Sequence, residues 1–382
     1  MRNGVRFRTA LKLGMAVLSV VATLLVFDVG LRYSTLVTPR RGILQPVPDK
    51  HPLTDWIDVF PPGYSGTLTS KEFTVDVRAG SLGLRERDLD FAALSTEHPY
   101  LFLGDSYFFG WGVEQEQRLS ELFGSKIAED GRPVPVVNFS FPGWGTYHYL
   151  ALWEQFVPQL KPRLVIIGMF IGNDFTDDLK QSWRSQEGSG ASLAPGNRPA
   201  NLFLRSKLAV RELISTSPVL SVVNHALWMS PAFRSLFSGL EIRNDRIALY
   251  ETASSDLQKQ LYAATESALD SLARLSRAQG VPLLVVLIPD HLQVLMPDLF
   301  RGYDFDKPQR TIQAYLHERG IACFDLLPIF RGNPSPEEMF FREDKHWNAK
   351  GHAFVAEALR QCLMGLDGPT SDGLQPAGCK KN

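Results

Sequence analysis

From Pro99 onward the chain alternates continuous apolar stretches with helix-like ones, and this rhythm restricts the fold more than any other feature of the sequence. Tyr100 to Gly104, Val134 to Phe141, Leu164 to Ile171, Val281 to Pro289 and Ile321 to Leu327 read as strands. Leu164 to Ile171 has too many consecutive apolar residues to be half exposed, so it needs cover on both faces. Glu114 to Glu129, Thr146 to Gln159, Ser255 to Gln279 and Gln309 to Arg319 read as helices, and a last helix follows Asn348. The longest of these has Ser254 or Ser255 as its N-cap and Gly280 as its stop. The last turns Phe354, Val355, Ala358, Leu359 and Cys362 toward one face. Buried strands separated by helices predict a three-layer α/β fold with a parallel sheet and right-handed crossovers. Spacing alone leaves the strand order open.

Outside this rhythm the chain changes character. Arg2, Arg6, Arg8 and Lys12 precede an apolar run from Leu13 to Phe27, which Asp28 interrupts. Such a run is short but sufficient for a tilted span, with the basic end in the cytoplasm. A cleaved signal peptide would share these features, but Leu31-Arg32-Tyr33-Ser34 offers no small-x-small cleavage site. The expected layout is therefore a membrane anchor over 1–33, with the rest of the chain periplasmic or extracellular. A Pro-rich linker and small β region over 34–98 follow, in which Phe73 to Val77 and Ser81 to Arg85 suggest a hairpin or ribbon. The α/β domain spans 99–365. Within it, residues 175–248 read as an insertion of short helices, either a cover for the sheet edge or a lid or acceptor-binding subdomain. A tail over 366–382, rich in Gly, Pro and charge, is expected to be disordered. Forty Lys and Arg balance 41 acidic residues, so bulk charge offers nucleic acid no attraction. The three Cys show no metal or redox spacing; at most one disulfide can form, and Cys362 with Cys379 is the easier pairing.

Four short motifs fall where a parallel sheet gathers its chemistry, at strand ends. Gly104-Asp105-Ser106 ends the first strand and precedes a Gly-rich turn. A serine there can present its hydroxyl outward or simply close the turn; no Gly-x-Ser-x-Gly elbow is present. Phe141-Pro142-Gly143-Trp144 follows the second strand, and a glycine there can leave an N–H free for an oxyanion or serve an ordinary turn. Gly172-Asn173-Asp174 follows the third strand as oxyanion donor or helix cap. Asp344-Lys345-His346-Trp347 enters the last helix, where an Asp two residues from a His can orient it. Asn348 suits an N-cap, and His352, inside the helix, suits packing.

In this fixed order the four blocks resemble those of the SGNH (GDSL-like) hydrolase superfamily, over roughly Pro99 to Leu363. The resemblance implies a flavodoxin-like sheet of five parallel strands. It implies that Ser106 is the nucleophile, that His346 is its base, and that Gly143, Asn173 and the Ser106 N–H are oxyanion donors. The first block continues with Tyr107 in place of Leu. The usual acid position, three before the His, holds Glu343. Asp344 matches instead the Asp-x-His-Trp arrangement of SGNH-like polysaccharide O-acetyltransferases, and its shorter side chain suits that spacing.

The expected activity is that of a serine esterase acting through an acyl-enzyme on an acylated carbohydrate or another ester outside the cytoplasm. The alternatives are an O-acyltransferase of envelope polysaccharide, or a non-catalytic glycan-binding scaffold. No cofactor or metal is called for, since side chains supply nucleophile and base. Expected partners are the ester or glycan, the membrane, and polysaccharide machinery of the envelope. Trp111, Trp144, Tyr147 and Trp347 flank the blocks and offer sugar-stacking or core-packing surfaces.

Overall fold

The five apolar stretches form one parallel sheet in a computed structural model that describes residues 59–129, 132–188, 248–297 and 303–364. Ahead of the sheet, strands β1 (Ser65–Thr69) and β2 (Thr74–Arg78) pair as an antiparallel hairpin, and α1 (Phe91–Glu97) is capped by the Asp90 carboxylate. The sheet then takes β3 (Tyr100–Gly104), β4 (Val136–Ser140), β5 (Leu164–Phe170), β6 (Leu283–Ile288) and β7 (Ala322–Asp325). Its order is β4-β3-β5-β6-β7, so the second strand lies outside the first and the chain reverses direction across the sheet there. This is the flavodoxin-like order, in which ligand crevices open at the carboxyl ends of the strands beside the reversal.

The register explains why these strands are apolar throughout. Phe102 pairs with Ile166 and Ile166 with Leu284, placing all three on one face with Val286, Ile288 and Phe324. There they meet α3 (Leu119–Lys126) and α10 (Ala349–Met364) through Phe123, Val355 and Leu359. The alternate residues Leu101, Leu103, Val165, Ile167, Val285 and Leu287, equally buried, point to the other face by the two-residue period of a strand. On that face α4 (Thr146–Leu160), α5 (Asp174–Gly188) and α6 (Asp256–Gln279) pack together, and α8 (Lys307–Glu318) joins through a Tyr315 hydroxyl bond to the Glu266 carbonyl. Ser255 accepts from the Gln258 N–H at the start of α6, and Gly280 adopts φ 65 at its end, both as the sequence indicates. Short helices α2 (Ser106–Phe109), α7 (His291–Leu295) and α9 (Leu327–Gly332) fill connections.

Three expectations are corrected. Glu114 to Glu129 is not one helix. A 3-10 turn at Gln115–Gln117 precedes α3, because the buried Arg118 holds an extended backbone while its guanidinium donates to Glu86 at 2.7 Å and to the Arg85 carbonyl. Ser81 to Arg85 is turn rather than ribbon, and Arg85 is 1% exposed, donating to the Gly110 and Val113 carbonyls at 2.8 Å each. The insertion does not begin at Phe175, for α5 lies there in the layer with α4 and α6, and Phe175 is fully buried. Residues 189–247, the anchor at 1–33, most of the linker and the tail at 366–382 lie outside the described residues. Among the described residues no helix is long and apolar enough to cross a membrane.

Candidate active site

At Gly104 the strand can carry no side chain. Helix α2 folds back on the strand it leaves, and a Cβ at Gly104 would come within 2.6 Å of the Phe108 Cβ. Asp105 caps α2 by accepting the Tyr107 N–H at 2.9 Å, which sets Ser106 at the first helical position. The loop beyond is fastened by Gly110 in the left-handed region and by the Trp111 N–H to the Ser106 carbonyl, 3.0 Å. Arg85 holds the same loop from beneath through its carbonyl bonds.

His346 arrives from the far end of the chain, on a tight loop closed by the Phe341 N–H to the His346 carbonyl at 2.8 Å. Lys345 takes φ 73 to make that turn. Behind it, the Asn348 carboxamide oxygen accepts from Lys350 and Gly351 N–H groups, capping α10, while its Nδ2 ties to the Glu338 and Phe340 carbonyls. The result places His346 Nε2 2.8 Å from Ser106 Oγ and His346 Nδ1 2.5 Å from Asp344 Oδ1. With Nδ1–H donated to the carboxylate, Nε2 is left to accept the serine hydroxyl. The imidazole is a quarter exposed, so the pair opens to solvent.

Asp344, not Glu343, faces the imidazole. The Glu343 side chain is 63% exposed and lies 3.3 Å from Lys71 Nζ. Burial raises the Asp344 carboxyl, but the hydrogen bond and charge of His346 and the Trp111 indole N–H, 3.2 Å from Oδ2, together hold it below the usual range. Tyr107 and Trp111 also place their rings 4.9 and 5.9 Å from the imidazole, on which both lean at about 40°. Neither support is assigned by the sequence. The only signal for Tyr107 is its departure from Leu in the first block, and nothing local connects Trp111 to a residue so distant.

The turns carrying Gly143 and Asn173 follow β4 and β5, the two strands flanking β3. All three turns therefore line one edge of the sheet, with adjacent strands about 4.8 Å apart. The Phe141 N–H bonds the Gly104 carbonyl at 3.1 Å and locks the Gly143 turn to the serine turn. Gly143 is exposed with φ 84, and a Cβ there would meet nothing within 4 Å. Neither its N–H nor that of Ser106 has an acceptor among the described residues. One Asn173 Nδ2 hydrogen goes to Asp177 Oδ2 at 3.1 Å, leaving the other. Beneath this turn, burial and the neighbouring Asp105, Asp178 and Asp177 charges push the Asp174 carboxyl well up.

Trp144 and Trp347 cannot serve as sugar platforms. They are 2% and 0% exposed, with Trp144 against Phe141 and Trp347 against Tyr107 and Phe330. Trp111 is partly exposed but spends its indole N–H on Asp344. His352 is 1% exposed and accepts the Leu119 N–H at 3.2 Å; burial first, then Arg85 and His346, push its pKa down to about 3.

A family model for GDSL-like lipases and acylhydrolases matches residues 102–354. Among solved structures the chain is similar to the psychrotrophic esterase EstA from Pseudoalteromonas sp., at 14% identity, 68% of this chain, 93% of that one and TM-score 0.37. It is similar also to a lipase/acylhydrolase from Enterococcus faecalis, at 15% identity, 69% and 95% coverage and TM-score 0.36. Acetyl xylan esterase AlAXEase is similar at 14% identity, 68% and 96% coverage and TM-score 0.39. No match was found among curated proteins.

Proposed function

The chain belongs to the GDSL-like lipase/acylhydrolase family, and from that premise we propose that it is a serine ester hydrolase with Ser106, His346 and Asp344 as its triad. The observation that carries this is the unbroken line from Ser106 Oγ through both His346 nitrogens to Asp344, at 2.8 and 2.5 Å. His346 Nε2 takes the hydroxyl proton as Ser106 Oγ bonds to the ester carbonyl carbon. Asp344 fixes the tautomer and stabilises the imidazolium. Charge that develops on the carbonyl oxygen meets the N–H groups of Ser106 and Gly143 and the remaining Asn173 amide hydrogen, each such donor lowering the barrier by about 3 kcal/mol. The intermediate collapses, the C–O bond to the alcohol breaks, and the imidazolium proton leaves with the alcohol. Water, deprotonated by His346, then attacks the acyl-Ser106 and restores the free serine and the acid product.

A sugar hydroxyl in place of that water would make the same acyl-enzyme a transferase, and the Asp-x-His-Trp spacing is the feature that favours this second reading. The substrate class we assign is an acylated glycan or other ester reached outside the cytoplasm. Supporting that location are the basic residues ahead of the apolar run at Leu13 to Phe27.

The decisive experiment treats wild type and Ser106→Ala with a fluorophosphonate probe and with p-nitrophenyl acetate. Wild type is labelled and turns over; the variant is unlabelled and loses roughly three orders of magnitude or more in kcat. Equal rates in the two proteins would remove the ester-hydrolase reading. Acetyl transfer to an added oligosaccharide, measured against hydrolysis, separates transferase from esterase.

A further inference from the structure

A side chain at the tip of the β1–β2 hairpin holds the main chain of the loop that carries the triad acid. Glu72 sits in that tip, where its own N–H bonds Ser70 Oγ at 3.1 Å. Its carboxylate accepts three successive backbone N–H groups: Arg342 on Oε1 at 2.6 Å, then Glu343 and Asp344 on Oε2 at 2.7 and 2.8 Å. Consecutive N–H groups aimed at one point form a concave anion site, and here the anion is built in. Burial and the nearby Asp344 charge push the Glu72 carboxyl up, yet the three donors hold it below the usual range. The three donors thus favour the ionised carboxylate.

The next residue supplies an apolar counterpart. Phe73 is nearly buried, with its ring 5.0 Å from Phe341 and 6.4 Å from Trp111. Gly112 makes room for both, since a Cβ there would meet Phe341 and Phe73 at 2.7 and 2.8 Å. One turn of the hairpin thus grips each end of the segment 341–344 and also the indole that donates to Asp344. Lys345, at φ 73, follows at once and leads to the base. With the backbone N–H of Asp344 held, its short side chain has few ways to leave Nδ1.

We propose that Glu72 is a positioning residue for the triad, fixing the Asp344 main chain so that its carboxylate meets His346. This role rests on the triad assignment. It adds to the site a residue upstream of the matched segment, which begins at 102.

Four full-length proteins test it: wild type, Glu72→Gln, Glu72→Ala and Lys71→Ala. The readouts are kcat and KM on p-nitrophenyl acetate, fluorophosphonate labelling, thermal midpoint, and the low-field proton resonance of His346 Nδ1–H. Glu72→Ala is expected to lose roughly ten- to a hundredfold in kcat, as an ångström-scale misplacement does. Its KM should change less than about twofold, and its low-field resonance should broaden or vanish. Glu72→Gln, keeping one acceptor oxygen, falls between. Lys71→Ala, which removes only an exposed ion pair with Glu343, matches wild type. A Glu72→Ala protein with wild-type kcat and an intact resonance overturns the proposal, even if it melts earlier, because the contact would then only stabilise. Should Glu72→Ala fail to fold, Glu72→Gln decides by the same readouts. A wild type that neither turns over nor is labelled would instead overturn the triad reading and the positioning role with it.

Discussion

Two adjacent carboxylates compete for one imidazole, and side-chain length decides between them. Asp344 reaches His346 Nδ1 while Glu343 points to solvent and Lys71. Asp344→Asn is expected to reduce kcat by roughly a thousandfold, since the amide favours the wrong tautomer. Glu343→Gln should stay within about twofold of wild type. Parallel kinetics on p-nitrophenyl acetate check both, and the reverse order would reassign the acid. The residues of the four blocks were legible because each carries its chemistry at a strand end. The supports were not. Glu72, Tyr107 and Trp111 act on residues more than two hundred positions away, through contacts that no local spacing encodes.

At the scale of elements, the sequence was most informative where physical demands are strongest. A strand buried on both faces must be apolar throughout, and β3 begins and ends at the predicted residues. The long helix α6 begins and ends at its caps. Prediction failed where a buried charge overrides local propensity, as Arg118 does in splitting the expected Glu114 to Glu129 helix. It failed also at α5, whose acidic and polar residues look unlike core. Asp178 on that helix shows why: it is fully buried, accepting the Thr265 hydroxyl of α6 at 2.8 Å and the Tyr147 N–H of α4 at 3.3 Å. One carboxyl thereby links three helices. Burial, only partly offset by these bonds, raises its pKa to about 7. Between the usual 3.8 and that value the folded chain keeps a proton that the unfolded chain has lost. This group therefore removes stability as pH rises through that window, by up to about 1.4 kcal/mol per unit. Asp178→Asn should gain on wild type from about pH 4 to 7 and then level off. Denaturant titrations of both proteins across that range provide the check, and a constant difference would show that Asp178 is ionised in the fold.

For the molecule as a whole, all described residues belong to one compact unit that begins before the matched segment. Val59, Phe60, Leu84 and Arg85 are each 1% exposed, so the region anticipated as linker and ribbon contributes to the core from residue 59. Its Pro-rich composition concealed this, because turn-rich chain can pack without periodicity. The proposed location belongs to the same scale. The full chain is expected in the membrane fraction after lysis and alkaline carbonate washing, whereas a chain beginning at residue 34 should be soluble with unchanged kcat. Recovery of the full chain in the supernatant would remove the membrane assignment.

Ser106 and His346 are 240 positions apart, and the histidine precedes only the final described helix. Hydrolytic power is consequently a property of the finished molecule. While the polypeptide is still being synthesised, the hydroxyl has no partner to take its proton. Any ester it meets on the way is spared, and competence appears only when the last helix docks against the sheet.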